Sequence, residues 1–338
     1  MTKEKREGTP VFPSSFDIGA FGHSFVIGGS FVIRHWPRGS RNYGHAPQTP
    51  NPRKIMILVV GASGTNGRQV VERLVALGKP VRALVRNPGK ESGFGAGVEV
   101  VAGDLDQPAS LDTALRGVTD VFLLTPVDQR AVRWGNDFIA AAQRVGGIHI
   151  VKFSGMGATP DAGCEILRQH AQIDETLIAS GLPWTIIRPN SFFQNMLWSV
   201  PTIKQQSAFY LPMRDGRQSL VDVRDIADVA TAILTRAGHE GKTYEITGPE
   251  GLSYADVANV LSKVLGKPIQ YIDVPPEAAR QGMLQAGMLE WNANAVTELY
   301  GMFASGKYAY TTDAVQSVTG KQPRSFEQFV RDHAAAFR

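Results

Sequence analysis

One cysteine in 338 residues, Cys164, leaves nothing for an intramolecular disulfide and nothing for a cysteine-based metal cluster. That suits a reducing compartment; a cytoplasmic location is expected, and no metal site. No apolar run approaches the roughly 20 residues of a membrane helix, so no membrane span is expected. A dominant charge is lacking as well. The formal net charge is +4, but residues 1–55 hold eight Lys or Arg against three Asp or Glu, a net of +5, which leaves the remainder at −1. A main domain so close to neutral gives no support for nucleic-acid binding. What the chain has in quantity is hydrophobic residue, 43% beside 20% charged, a globular balance with ample material for a core.

Residues 1–53 differ from the rest. They are rich in Gly, Pro, Ser and Arg, and they repeat Ser24-Phe-Val-Ile-Gly28 as Ser30-Phe-Val-Ile33 without further periodicity. A disordered, dispensable leader is one reading, and a true start of synthesis at Met56 is another; both are favoured over an organellar presequence. The folded unit is expected over 54–338.

That unit is organised around Lys54-Ile-Met-Ile-Leu-Val-Val-Gly-Ala-Ser-Gly-Thr-Asn-Gly-Arg68, followed by Gln69 to Leu77. Ile55–Val60 is too short for a buried helix and too apolar for a surface strand, which fits the central strand of a parallel sheet. Gly61, Gly64 and Gly67 punctuate the turn into an amphipathic helix. With Ser63, Thr65 and Asn66 they form a loop whose amides and helix N-terminus suit a pyrophosphate. Strand before and helix after are the context such a triplet requires.

Beyond it the chain alternates. Strands are predicted at Val81–Asn87, Val98–Ala102, Asp120–Thr125, Ile148–Ser154 and Trp184–Arg188, with helices at Pro108–Leu115, Ala131–Val145 and Ile166–Ser180. Repeated units of this kind make an α/β fold, a doubly wound parallel sheet of the Rossmann arrangement, whose ligand crevice lies beyond the carboxyl ends of the strands. The remainder, with a strand at Thr243–Thr247 and helices near 253–265 and 276–305, reads as a smaller α/β substrate lobe drawn mainly from about 190–220 and 240–338.

The end of the second strand bears on the cofactor. An acid there accepts from the ribose of NAD, whereas an arginine there donates to the extra phosphate of NADP. Here Arg86 ends the strand, Lys90 follows and no acid intervenes, so NADP(H) is preferred and NAD(H) remains possible. Asp104 and Leu105 are placed to border the adenine. Leu124, Thr125 and Pro126 are placed to pass the ribose and pyrophosphate, and Ser154, Gly155 and Met156 to approach the nicotinamide. Asp104 as a helix cap and Ser154 as a turn closer are the competing structural readings.

From Met56 to Phe337 the sequence resembles the atypical short-chain dehydrogenase/reductases of the NmrA-like group, among them type-two quinone oxidoreductases, triphenylmethane and azo-dye reductases and, more distantly, isoflavone-type reductases. The resemblance rests on Val59-Val-Gly-Ala-Ser-Gly-Thr-Asn-Gly67, Leu84-Val-Arg-Asn-Pro88, Gly103-Asp-Leu105, Ser180-Gly-Leu-Pro-Trp-Thr-Ile-Ile-Arg-Pro189, Phe192-Phe-Gln-Asn195, Val221-Asp-Val-Arg-Asp-Ile-Ala227 and Thr319-Gly-Lys-Gln-Pro-Arg-Ser-Phe326. It implies the same fold, with NADPH bound along the glycine turn.

The wider superfamily places a Tyr four residues before a Lys on the helix after the fifth strand, and the matching helix here, Ile166–Glu175, has neither. His170 stands where isoflavone-type reductases carry a lysine and where the quinone reductases resemble this chain. It is the candidate for positioning or proton donation, with a helix-bonded structural histidine as the alternative. Three functions follow. The first is an NADPH-dependent reductase of a small conjugated acceptor such as a quinone or dye, with Met156 flooring a pocket lined by Trp184, Phe192, Phe193, Asn195 and Trp198. The second is an NADP(H)-binding redox sensor that reports to a protein partner, and the third a nucleotide-sugar epimerase, least favoured because Tyr and Lys are missing. A monomer or homodimer is expected.

Overall fold

Ile57–Val60 (β1) is buried along its whole length, which only a strand covered on both faces allows. The computed structural model describes residues 55–89 and 93–338; the expected leader and Lys90 lie outside the described residues. After β1 come Thr65–Ala76 (α1), Val81–Val85 (β2), Val98–Ala102 (β3), Ala109–Ala114 (α2), Asp120–Leu123 (β4), Ala131–Val145 (α3), His149–Phe153 (β5), Glu165–Ala179 (α4) and Trp184–Pro189 (β6). A 3-10 segment, Phe193–Ser199, leads to Val200–Gln206 (α5), Ala208–Leu211 (β7), Arg217–Gln218 (β8), Val223–Thr235 (α6) and Lys242–Ile246 (β9). The chain closes with Leu252–Ser253 (β10), Tyr254–Leu265 (α7), Gln270–Asp273 (β11), Pro276–Gln285 (α8), Glu290–Phe303 (α9), Ala314–Thr319 (α10), Phe326–Asp332 (α11) and Ala334–Phe337 (α12).

The central sheet runs β3-β2-β1-β4-β5-β6-β9, every pair parallel. This is the doubly wound arrangement read from the sequence. The order reverses between β1 and β4, and a crevice opens there beyond the strand ends. Alternation divides the strands between two cores. Ile57, Val59, Val81, Ala83, Val151, Phe153 and Ile187 face α1, α6 and α10, whereas Leu58, Val60, Leu84, Val121, Leu123 and Ile150 face α2, α3 and α4.

The strand expected at 243–247 inside the smaller lobe is β9, the seventh strand of the central sheet, in register with β6 from Thr185↔Lys242 to Pro189↔Ile246. A parallel partner satisfies the open edge of β6, which an independent lobe strand would leave bare. The stretch 276–305 is broken at 286–289, so α8 and α9 pack on each other. The lobe has a core of its own around Phe193, Phe209, Tyr254, Leu261, Phe326, Phe329 and Phe337, with β7 parallel to β11 and β8 antiparallel to β10.

Asn190 joins lobe to sheet. Buried at the exit of β6, its Nδ2 donates to Ser219 Oγ (2.9 Å) and to the Tyr308 carbonyl (2.9 Å), its Oδ1 accepts from Ser191 N, and its own N–H donates to Ile246 O. A second tie holds the C-terminal segment. Arg324 pairs with Asp225, which is 2% exposed, and with Asp228 (3.2 Å), and Asp228 also accepts from Arg73 of α1. Removing one partner of such a buried pair strands the other's charge. Arg324→Ala should therefore lower unfolding free energy by about 3 kcal/mol, read as a shift in the urea midpoint; a change within error would mean the pair contributes nothing net.

Candidate functional site

The glycine turn meets the end of β4. Gly61 has φ +76°, open to glycine at little cost, and a Cβ there would stand 3.0 Å from the Leu124 carbonyl oxygen. At Gly67 a Cβ would lie 2.1 Å from the Gly61 carbonyl oxygen and 2.9 Å from Ala62 Cα, so α1 closes on its own turn only without a side chain. Gly64 is the N-cap of α1, with no side chain capping it and no acid in the first turn. Ser63, Gly64 and Thr65 are exposed. A helix start with bare amides and no anion of its own is a place for a phosphate.

Two buried oxygens nearby have no protein partner: Asn66 Oδ1 at the first turn of α1, and Thr125 Oγ1 just past β4. Groups of this kind are ordinarily satisfied, and a polar ligand along the crevice would satisfy them. The residues present thus fit a dinucleotide.

Toward the β3 side, Arg86 is exposed directly after β2. Arg82, two turns of alternation earlier, is committed elsewhere: it pairs with Glu99 and donates to the carbonyls of Ala114 and Arg116. Asp104 does not cap α2. Its Oδ1 accepts from Asp106 N (3.0 Å), and the Ser110 hydroxyl accepts from Asp104 N (2.9 Å). Leu105 is half-buried against the α2–α3 core. Asp106 accepts from Trp134 Nε1 (2.9 Å) and pairs with Arg130 and Arg133; the indole N–H foremost, with both arginines, holds its carboxyl below the usual range. That cluster pins the loop after β3 to the start of α3. Leu124 is half-buried and Pro126 exposed.

At the β5 end the predicted contacts change. Ser154 and Met156 are 1% exposed. The Ser154 hydroxyl donates to Asp174 Oδ2 (2.8 Å) and the Met156 side chain is buried, so neither opens to the crevice as expected. A Cβ on Gly155 would meet Leu167 at 2.6 Å and His170 Cδ2 at 3.5 Å: its bareness lets α4 come close. His170 lines a small cleft with Thr125, Pro126, Val127, Ala131, Ile166 and Gln169.

Two of the aromatic residues expected to line the pocket are elsewhere, and a third is exposed. Trp184 is the first residue of β6, opposite Ile150, and so sits at the amino end of the sheet, away from the crevice. Phe193 is buried in the lobe core against Phe326 and Phe329, because the 3-10 segment turns it inward. Trp198, on the same segment, is 80% exposed. Asn195 is exposed too. Phe192 remains at the joint, edge-on to Phe153 at 6.1 Å.

The structure also brings in residues the sequence reading passed over. Lys152 on β5 is 0% exposed; its Nζ donates to the Phe153 carbonyl and lies 3.2 Å from His170 Nδ1. Arg188 on β6 donates to Asp174 Oδ2 (3.1 Å), so Asp174 is held by Ser154 and Arg188 together. Tyr308 from the lobe reaches the turn after β5, where a Cβ on Gly157 would stand 2.7 Å from its hydroxyl. The available signal for Lys152 was a lysine inside Ile148-His-Ile-Val-Lys-Phe-Ser154, a strand otherwise apolar on the face it shares with Ile150.

Charge is costly in this setting. Burial brings Lys152 from the ordinary 10.5 down to about 8, against the pull of Asp174 and with the push of Arg188. Burial, with Lys152 and Arg188 beside it, takes the His170 imidazole well below its usual range, so it stays neutral near pH 7.

A doubly wound sheet with an uncapped helix behind a glycine turn at its switch point defines a dinucleotide-binding α/β protein. Within that class the chain belongs to the NmrA-like family, whose profile matches residues 53–330. It is 41% identical over 283 residues to an NAD(P)H azoreductase of Xenophilus azovorans, across 83% of this chain and 99% of that protein. Among solved structures, the NADPH-dependent quinone oxidoreductase of Escherichia coli complexed with NADPH aligns with TM-score 0.76 at 24% identity, covering 83% of this chain and 100% of that one. The triphenylmethane reductase of Citrobacter sp. complexed with NADP(H) aligns with TM-score 0.73 at 24% identity, over 82% and 99%. The last two are likenesses of fold.

A lysine whose charge is disfavoured in the folded state destabilises the fold below its folded value, and the penalty fades as pH rises from about 8 toward 10.5, where the unfolded chain also loses the proton. Lys152→Met should raise unfolding free energy at pH 7 by roughly 2–3 kcal/mol, with the gain shrinking across that window. Denaturant titrations at pH 7 and pH 10 check it, and a gain independent of pH would contradict the account.

Proposed function

We propose that the chain is an NADPH-dependent reductase that transfers hydride to a small conjugated acceptor, a quinone or an azo or triphenylmethane dye. The observation that carries the reading is the bare cradle from Gly61 to Gly67, with the unpartnered oxygens of Asn66 and Thr125 alongside it. The azoreductase relative supports the reaction type.

Bound NADPH would supply the hydride. The turn of Gly61, Ser63, Gly64, Thr65, Asn66 and Gly67 would hold its pyrophosphate on the amides left free there, the Gly64 N–H being taken by the Gly61 carbonyl (3.1 Å). Arg86, with Lys90, would take the 2′-phosphate, so NADH would bind the same cradle more weakly. Asp104 and Leu105 would border the adenine, and Leu124, Thr125 and Pro126 the ribose and pyrophosphate. Gly155 and His170 stand at the nicotinamide end, where Phe192 and Tyr308 offer aromatic surface to a flat acceptor. His170 holds a ligand atom in place, and the proton that accompanies the hydride comes from water. The enzyme would work in the cytoplasm.

Among the described residues no helix is long and apolar enough to cross a membrane. Steady loss of NADPH absorbance on adding a quinone or an azo dye is the decisive test; tight NADPH binding with no turnover on any acceptor would instead support a redox sensor. Arg86→Asp should weaken NADPH by about 2 kcal/mol or more, with NADH changed less; equal losses for both would remove Arg86 from the phosphate site. His170→Ala should leave kcat within a few-fold and raise KM, whereas a loss of roughly 10²-fold in kcat would make His170 the proton donor.

A further inference from the structure

The reductase reading leaves unexplained why a lysine is buried under the cleft at all. Lys152 is the penultimate residue of β5, on the face turned to α4, and its side chain reaches His170 rather than water. The groups that face it are His170 and Asp174 from α4 and Arg188 from β6, while β4 offers only the uncharged Leu123 at that register. Asp174 takes both Ser154 and Arg188 on Oδ2, its Oδ1 is buried without a partner, and among the described residues no carboxylate pairs with Lys152 directly. Its two polar neighbours are the Phe153 carbonyl and His170 Nδ1.

An ammonium can donate hydrogen bonds and cannot accept them. With Lys152 aimed at Nδ1, that nitrogen must carry the lone pair, and the imidazole's one hydrogen is placed on Nε2. Nε2 has no partner among the described residues, and His170 borders the cleft beside Thr125 and Pro126.

We propose that Lys152 is a positioning residue: it fixes His170 in the tautomer with hydrogen on Nε2, so that the nicotinamide end of the cleft presents a donor to a lone-pair atom of the ligand. The ligand atom is an oxygen or nitrogen, either of the acceptor or of the dinucleotide's ribose. The burial that holds the lysine near 8 makes the device pH-sensitive. Above that value the amine accepts as readily as it donates, and the tautomer is released.

The inference rests on the reductase reading for its kinetic consequence but not for its spectroscopic one. Nitrogen NMR of the full chain labelled at histidine, with His170 assigned by difference against His170→Gln, should show the Nε2–H tautomer at pH 7 and its loss as pH passes about 8. Lys152→Met should release it already at pH 7. An Nδ1–H tautomer in the unaltered protein overturns the proposal without any variant. In steady state, Lys152→Met should raise either the acceptor KM or the NADPH dissociation constant by roughly three- to tenfold, the worth of one neutral hydrogen bond, with kcat nearly unchanged; which constant moves identifies the ligand. In a His170→Ala background the same change should do nothing further, and an added loss there, or no shift in either constant, would refute it. If no acceptor is turned over, the reductase reading fails, while the tautomer, its pH response and NADPH binding still decide the role of Lys152.

Discussion

The contact between Gly67 and the carbonyl of Gly61 is the constraint on which the rest depends. The first turn of α1 lies so close to the end of β1 that one methyl group at position 67 would overlap backbone. That closeness seats α1 on the sheet, brings the turn against the end of β4 through Gly61, and leaves the first amides of the helix pointing into the crevice. One geometric fact serves packing and the proposed binding alike: the helix that fills one core with Val70, Val71 and Leu74 also presents an uncapped start suited to an anion.

The far end of the crevice is built on another principle, electrostatic rather than steric. Lys152, His170, Asp174, Arg188 and Ser154 form a polar seam between β5, β6 and α4, inside a layer that is otherwise aliphatic. Such a seam costs stability, and in the role proposed for Lys152 that cost goes into orienting His170. Asn190 stands at the same joint and sets how the lobe, with Tyr308, meets the sheet.

The backbone of the site was legible from the sequence because it depends on local features. Three glycines between an apolar strand and an amphipathic helix define the turn, and the alternation of strands and helices defines the sheet. Side-chain destinations depended on distant packing and were read less well. Trp184 was drawn toward the site by the run ending in Pro189, yet a parallel strand has two ends and Trp184 opens the wrong one. Phe193 and Trp198 belong to a short 3-10 segment with no periodicity to reveal which way each faces. Lys152 stood out as a charge on an apolar strand face, but its partner His170 lies on another element, and Tyr308 is separated by a long stretch of chain from the strand end it meets.

The position of β9 has a consequence for how the protein is made. Residues 242–246 complete a sheet whose other six strands end at Pro189, and the chain between them forms the 3-10 segment, α5, β7, β8 and α6. While the ribosome is still producing that stretch, β6 carries a row of unpaired backbone groups along its edge, the kind of surface that invites a strand from another molecule. The sheet is finished only after part of the lobe's chain has emerged, so sheet and lobe mature as one unit, and a nascent chain released between them would be left with an adhesive edge.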